Sequence, residues 1–553
     1  MSLPSVVRAQ VDPAAVTKVT RLFNNTIGDV LAELIQNARR AAATTVILKT
    51  TEAENGVELS VCDDGTGIDD PTVVLALGRS GWDAGVARRE DPAGIGVFSL
   101  AGRDVSIRSR IREAEQGWRI DVAAHAWEDG SSIPVAPCDR PVGTEIVLSL
   151  DNTWSHTLDA AARNAARHCP IPVILNGEKL KQLDWLDGAC AIFQESGVRI
   201  GVFDDQRVNV HSHSINFHGV TVSGALPTIA ERHGSWCARV DIIDAPELQL
   251  VLPARKEMIE NEALVRLRRE VRRAIYRFIA TRPSHRLAYD EHCEAAKLGI
   301  SLPEAAPLLT QWAPATADVH IRSTLSEIVA TNGNLIVEAT IPAIEQSAHL
   351  ALSRDHAYDG RLVSSDPKMA GYGWYDQLSR ITNLAFEIER NGESLLYGDT
   401  EFPGLESGPV DAARLVLTIA GSNGYMNATI TAPAVIEYDD SACWGIEDAA
   451  VVIASPEAVT ADAIVGLLEG ACFSPSDERD ADSWDTQHDR FLIDAREIAI
   501  SILHGDDAGI LERLRAVLSD RVQWFVPEGR QFRAVIGRAG LEIALEPTQA
   551  AQS

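Results

Sequence analysis

The sequence predicts an α/β protein of several domains, and three observations carry that prediction. Apolar residues recur at helical spacing in some segments and alternate with polar ones in others, and the two patterns interleave along the chain. A length of 553 residues exceeds what one hydrophobic core accommodates. Two breaks divide the chain: Pro170 and Pro172 stop a helix ahead of "VILNGEKL", and "TRPSHR" follows a long arginine-rich helix. These breaks define three regions, 1–182, 183–285 and 286–553.

In the first region, residues 14–43 read as helical, and 45–50, 57–63, 104–111 and 118–127 read as strands. "GTEIVLSL" (143–150) alternates as a further strand, and "SHTLDAAARNAARHC" (155–169) is the helix that the prolines end. The second region has short strands in "VRIGVF", "INFHGVTVSG", "CARVDIID" and "LQLVL". It closes with "ENEALVRLRREVRRAIYRFIA", a helix whose Leu264, Leu267, Val271, Ile275 and Phe278 form an apolar stripe. The arginines at 266, 268, 269, 272, 273 and 277 read most simply as its solvated face, and a nucleic-acid contact there is the less favoured alternative. In the third region "NLIVEATIP" and "ARLVLTIAG" read as strands, and "ADAIVGLLEGA" and "AGILERLRAVLSD" as helices. The acidic stretch "SPSDERDADSWDTQHD" (474–489) reads as an exposed loop.

Charge and composition narrow the function classes. The net charge of −29 is concentrated in residues 291–553, where 17 Lys+Arg face 41 Asp+Glu. Such a surface repels phosphate backbones. Eight cysteines, at 62, 138, 169, 190, 237, 293, 443 and 472, form neither a C-x-x-C pair nor a zinc spacing. Reduced thiols in a cytoplasmic setting are expected, without a metal cage. The apolar runs are too short for a membrane span, and "MSLPSVVRAQVDPAA" has no signal-peptide core, so no membrane contact is expected.

Four short motifs carry the chemistry. "LAELIQNARRAAATTVILK" (31–49) sets Glu33 and Asn37 four residues apart, on one face of a helix. "VCDDGTGIDD" (61–70) supplies Asp63, Gly65 and Gly67 at a strand end, where glycines allow close approach and a carboxylate accepts from an amino group. "DPAGIGVFSLAGR" (91–103) sets Gly94 and Gly96 ahead of an apolar helical segment, and backbone N–H groups at a helix start attract anions. "VGTEIVL" leads Gly143 and Thr144 into a strand. Each alone describes an ordinary helix, turn or loop.

In this order, within about 110 residues, they resemble the GHKL ATPase superfamily, whose members include HtpG-type heat-shock chaperones, MutL, gyrase B-type subunits and histidine kinases. The resemblance covers residues 20–150 and implies a Bergerat-type α/β sandwich that binds ATP and Mg²⁺ in the 1–182 domain. It makes Glu33 the general base for hydrolysis and Asn37 the residue that holds Mg²⁺. Asp63 would accept from the adenine amino group, Gly65 and Gly67 would make room for the base, and Thr144 would lie under it. Gly94 and Gly96 would wrap the phosphates, and 78–93 would be the lid that closes over nucleotide.

Two departures stand out. Arg40 occupies a position where the family often has aspartate, and Asp91 replaces a glycine at the opening of the phosphate loop. The segment "ELQLVLPARKEMIENEALVRLRREVRRAIYRF" (247–278) resembles the HtpG middle-domain and MutL stretches whose basic residue reaches the γ-phosphate. The MutL-like register gives Arg255 and the chaperone-like register gives Lys256. The resemblance makes 183–285 a transducer and leaves 286–553 as an acidic mixed α/β region without a motif.

The functional expectation is an ATP-driven conformational switch of the chaperone-like branch. It would form a homodimer and hold a protein client or partner through the C-terminal region. A MutL- or topoisomerase-B-like DNA-processing ATPase shares the same N-terminal half, but the acidic second half weighs against it. A low-turnover nucleotide-gated scaffold in a stress or defence system is the other alternative, kept open by Asp91. A signalling kinase would need a phosphoacceptor helix ahead of the nucleotide motif, and only 30 residues precede it.

Overall fold

A computed structural model of the chain describes residues 26–53, 56–75, 100–129, 131–207, 214–251, 257–318, 325–422, 424–439, 441, 445–475 and 483–547. The chain is α/β throughout, with several mixed sheets, and divides into two compact units, Met1–Glu304 and Ala305–Ser553. Among the described residues no helix is long and apolar enough to cross a membrane.

The first described element of unit 1 is α1, Ile27–Arg40; residues 14–25 of the helix expected over 14–43 lie outside the described residues. The Thr26 hydroxyl oxygen accepts from Asp29 N–H at its start, while Arg39 and Arg40 lie in its last turn, where cations complement the helix dipole. Ile27, Val30, Leu31, Leu34, Ile35 and Ala38 are buried at helical spacing. The helix packs with α2, Asn152–Ala166, against an eight-stranded sheet. Its strands are β1 (Val46–Ala53), β2 (Gly56–Asp63), β3 (Val105–Arg110), β4 (Gly117–Val122), β5 (Ala136–Cys138), β6 (Gly143–Leu150), β7 (Val173–Leu175) and β8 (Glu178–Lys179). They run in the order β5-β4-β3-β6-β2-β1-β7-β8, antiparallel except for the β1–β7 pair. In β3 and β6 buried positions alternate with mostly half-buried ones, so one face meets the helices. The strand expected over 118–127 ends at Val122. Trp127, in a single helical turn that follows, is buried and donates to the Arg103 carbonyl at 2.9 Å.

A second sheet in the same unit has six strands: β9 (Ala191–Glu195), β10 (Val198–Asp204), β11 (Ile215–Phe217), β12 (Val220–Val222), β13 (Ile229–Glu231) and β14 (Gly234–Ile242). The order is β12-β11-β14-β10-β9, with β13 on β14. Helix α3, Glu262–Ala280, buries Leu264, Leu267, Val271 and Ile275 on it. Among its described residues, 248–251, "LQLVL" makes an isolated bridge, Leu250 to Met258, rather than a strand of the sheet. The unit continues past 285 because its tail packs on the same core. Glu231 accepts from Arg286 N–H at 2.9 Å, Leu287 is fully buried, and α4 (Tyr289–Lys297) follows.

Unit 2 is built on a six-stranded sheet whose longest strands are Ser379–Arg390 and Ala412–Gly421, with a smaller three-stranded sheet. Helices α5 (Pro342–Leu352) and α6 (Ala461–Cys472) belong to its two apolar cores. The loop expected over 474–489 ends earlier, since α7 spans Trp484–His504. Ser483 caps it, Trp484 donates to Asp318 at 2.9 Å, and the Phe473 ring meets those of Trp484, His488 and Phe491. Aromatic anchors at 484, 488 and 491 have helical spacing, which outweighs the acidic composition around them. Gly505, at φ +92°, turns the chain into α8, Asp506–Arg521. A hairpin of Arg530–Gly537 and Gly540–Pro547 ends the described chain.

Candidate functional site

The helix spacing of α1 is closed by a third residue. Arg40 Nη1 donates to Asn37 Oδ1 at 2.9 Å and lies 3.7 Å from Glu33 Oε1. The Arg40 side chain is 4% exposed and that of Glu33 12%, so this contact is shielded from bulk water. One guanidinium thus joins the acid and the amide that the sequence paired. Between them, Gln36 is buried, accepts from Arg39 Nε at 3.1 Å and donates to the main-chain carbonyl of His218.

The Asp63 turn leaves β2 and packs against the end of α1. Asp63 Oδ1 accepts from Gly65 N–H at 2.9 Å and from Thr144 N–H at 3.3 Å. Burial pushes the Asp63 carboxyl above its ordinary range, while those two N–H groups and Arg140 pull the other way. Thr66 N–H donates to Ala41 O at 2.8 Å and ties the turn to the C-terminus of α1. Gly65 and Gly67 have local reasons to be glycine. A Cβ on Gly65 would lie 2.7 Å from the Ala41 carbonyl oxygen, and one on Gly67, at φ +77°, would lie 2.2 Å from the Arg110 carbonyl oxygen. Both serve close backbone packing within the protein.

Two side chains that sequence reasoning passed over complete this corner. Ser109, fully buried, donates to Gly143 O at 3.1 Å, accepts from Ile68 N–H at 2.8 Å and lies 3.0 Å from the Thr144 hydroxyl. It therefore fastens the Asp63 turn to the strand that carries Thr144. Arg140 Nη1 donates to the carbonyls of Arg108 (2.6 Å) and Gly143 (2.7 Å). The signal for Ser109 was available: it falls on the apolar face of β3 after Val105 and Ile107, where a polar residue needs a partner.

The structure thus brings Asp63, Gly65 and Thr144 together, and separately Glu33, Asn37 and Arg40, with the Thr66–Ala41 bond linking the turn to the helix. Gly94, Gly96, Asp91, the lid segment 78–93, Arg255 and Lys256 lie outside the described residues. Among the described residues no group of three His, Cys, Asp or Glu side chains could hold a metal ion. A Mg²⁺ carried by nucleotide phosphates needs only one or two protein oxygens, and the Asn37 amide oxygen is of the right kind. Here that oxygen already accepts from Arg40.

No family model matches the chain, and no curated protein matches it. Among solved structures, the chain is similar to the N-terminal domain of a DNA repair protein at 12% identity, over 38% of this chain and 80% of that one, with a TM-score of 0.25. A likeness that loose carries no argument.

Proposed function

We propose that the first layer of unit 1 is a Bergerat-type ATP-binding module of the GHKL superfamily and that the second sheet is its transducer. The observation that carries the reading is the convergence on Asp63. A buried carboxylate is seated by the N–H groups of Gly65 and Thr144, on a turn bonded to the end of the helix that bears Glu33 and Asn37. Three motifs far apart in sequence meet at one corner of one sheet, and that meeting supports the reading.

In this reading the adenine amino group donates to Asp63, and Thr144 lies beneath the base. Glu33 takes the proton of the water whose oxygen attacks the γ-phosphorus, and the bond to the β-phosphate breaks to give ADP and phosphate. Mg²⁺, when bound, would neutralise charge on the phosphates, and Asn37 would hold it. Gly94, Gly96, Arg255 and Lys256 enter through the resemblance alone. A second reading, the low-turnover nucleotide-gated scaffold, gains support from the cation on Glu33 (Arg40).

We infer further that two copies meet through residues 506–547. Ile510, Leu511, Leu514, Val517 and Leu518 give α8 an exposed apolar stripe. The following hairpin pairs Ile536 with Leu541 and Ala534 with Ile543 on one face, where Leu541 is 56% and Ile543 60% exposed. A two-stranded hairpin with an uncovered apolar face is marginal by itself. Residues 506–547 carry six arginines against seven carboxylates, whereas 291–505 carry 11 Lys+Arg against 34 Asp+Glu. The charge-balanced terminal segment is therefore where two acidic chains approach at least electrostatic cost.

Steady-state ATP hydrolysis tests the main reading, with Glu33→Ala as control and with duplex DNA or an unfolded polypeptide added. Turnover that vanishes in Glu33→Ala supports it, and the addition that accelerates turnover selects the client class. Wild-type turnover in Glu33→Ala removes the proposed base, and absence of ATP binding removes the reading.

A further inference from the structure

We propose that Arg40 is a built-in competitor of Mg²⁺ for the Asn37 amide oxygen, so that it sets the Mg²⁺ threshold of nucleotide binding and keeps its own contact with Glu33 until metal and nucleotide arrive together. The inference rests on the ATP-binding reading above and adds a regulator to that same site. Its basis is one nitrogen in two contacts: Arg40 Nη1 is 2.9 Å from Asn37 Oδ1 and 3.7 Å from Glu33 Oε1.

Exposed ion pairs along a helix contribute little, because water solvates both partners and salt screens them. Arg40 differs, since only 4% of its side chain is exposed. A cation withdrawn from water needs hydrogen-bonding partners, and bonds to a charged donor are the stronger ones. Asn37 Oδ1 is a partner of that kind, and Glu33 Oε1, at 3.7 Å, adds an ion-pair contact to the same nitrogen. Mg²⁺ demands close oxygen ligands in near-octahedral array and would sit beside the guanidinium as a like charge. The two cations therefore exclude one another at Asn37, and metal binding there requires Arg40 to withdraw. Withdrawal also removes the cation beside Glu33. Metal loading and loss of the Arg40–Glu33 contact become one event, which couples the surroundings of the proposed base to the presence of Mg²⁺–ATP.

The test is the Mg²⁺ dependence of binding, which needs no turnover. A fluorescent ATP analogue is titrated into wild type, Arg40→Gln and Arg40→Lys over a range of free Mg²⁺, with circular dichroism as the folding control. Arg40→Gln is expected to bind at about tenfold lower half-saturating Mg²⁺, the effect of losing one charge-assisted hydrogen bond from the competing state. Arg40→Lys, which keeps the charge but loses the planar fork, is expected to shift in the same direction by less. An unchanged or raised Mg²⁺ requirement in both variants, with ATP still bound, overturns the role of Arg40 and leaves the ATP reading standing. No analogue binding by wild type at any Mg²⁺ concentration overturns the ATP reading, and this inference with it.

Discussion

Gln36, on the helix that carries Glu33 and Asn37, donates its side-chain N–H to the main-chain carbonyl of His218, at the tip of the β11–β12 hairpin. The hairpin is itself anchored. Asn216 accepts from Gly219 N–H at 2.9 Å and donates to Asp241 at 2.8 Å, and Asp241 accepts from Arg199 at 3.1 Å. Gly219, at φ +105°, lies so close to Cys169 that a Cβ would be 3.0 Å from its Cα. The proposed catalytic helix and the second sheet therefore share a polar seam. Replacing Gln36 by leucine leaves the His218 carbonyl without this donor, and the expected loss is about 1–3 kcal/mol in denaturant unfolding. If the seam also transmits the state of the site, the variant will hydrolyse ATP while losing the ATP-dependent compaction that small-angle scattering is expected to report for wild type.

Gly67→Ala is expected to cost at least about 2 kcal/mol, because the residue has positive φ and its new Cβ meets the Arg110 carbonyl. The same substitution at Gly177, which has positive φ but nothing within 4 Å, is expected to cost less. Thermal melts of the two variants side by side separate backbone strain from collision.

Asp63→Asn keeps the shape of the side chain and removes its charge. Fold and melting temperature are expected to change little, since burial already disfavours the charged form. Binding of an ATP analogue is expected to weaken by about tenfold or more, the cost of one hydrogen bond to a charged acceptor. Unchanged affinity in a folded variant would remove Asp63 from the nucleotide site.

Glu231 supplies a pH dependence. Burial alone would raise its carboxyl, but the N–H of Arg286 and the side chains of Arg282 and Trp236 outweigh burial and hold it below its ordinary range. A carboxyl lowered in the folded state stabilises the fold above its unfolded value, about 4.3, and loses that contribution as pH falls through the folded value. Glu231→Gln is therefore expected to be less stable than wild type at pH 7 by about 1.5–3 kcal/mol, with the gap narrowing as the medium is acidified. Urea titrations at pH 7 and below pH 4 measure both.

Ile543→Asp places a charge on the apolar face of the terminal hairpin. Light scattering is expected to report a dimer for wild type and a monomer for the variant. Equal masses at all concentrations would remove residues 506–547 as the contact between copies.

The secondary structure near the site was legible because its signals are local. The spacing of Leu31, Leu34 and Ile35 with Glu33 and Asn37 specifies a helix and its polar face, and Gly65 and Gly67 after a strand specify a tight turn. "GTEIVLSL" matches β6 residue for residue. What sequence could not supply is contact across the sheet. Ser109 and Arg140 act on residues more than thirty positions away or through carbonyls that carry no sequence signature. Arg40 was visible as a departure from the family pattern, but its grip on both Glu33 and Asn37 depends on a rotamer. The helix start at Trp484 was hidden because acidic composition suggested solvent, whereas the aromatic residues that anchor it were the stronger term.

Helix α8 is turned inside out. The side it presents to α7 is made of small and charged residues: Gly509 lies against Ser501, Arg496 pairs with Glu512, and Arg513 with Asp494 and Glu497. Its leucine and isoleucine stripe points away. Added salt therefore acts on its two sides in opposite senses. Screening loosens the ion pairs that hold it to α7, while an excluded salt such as sulfate drives the outer stripe out of water. In dilute low-salt buffer the helix is held by its neighbour, and in concentrated sulfate by whatever shares its outer face.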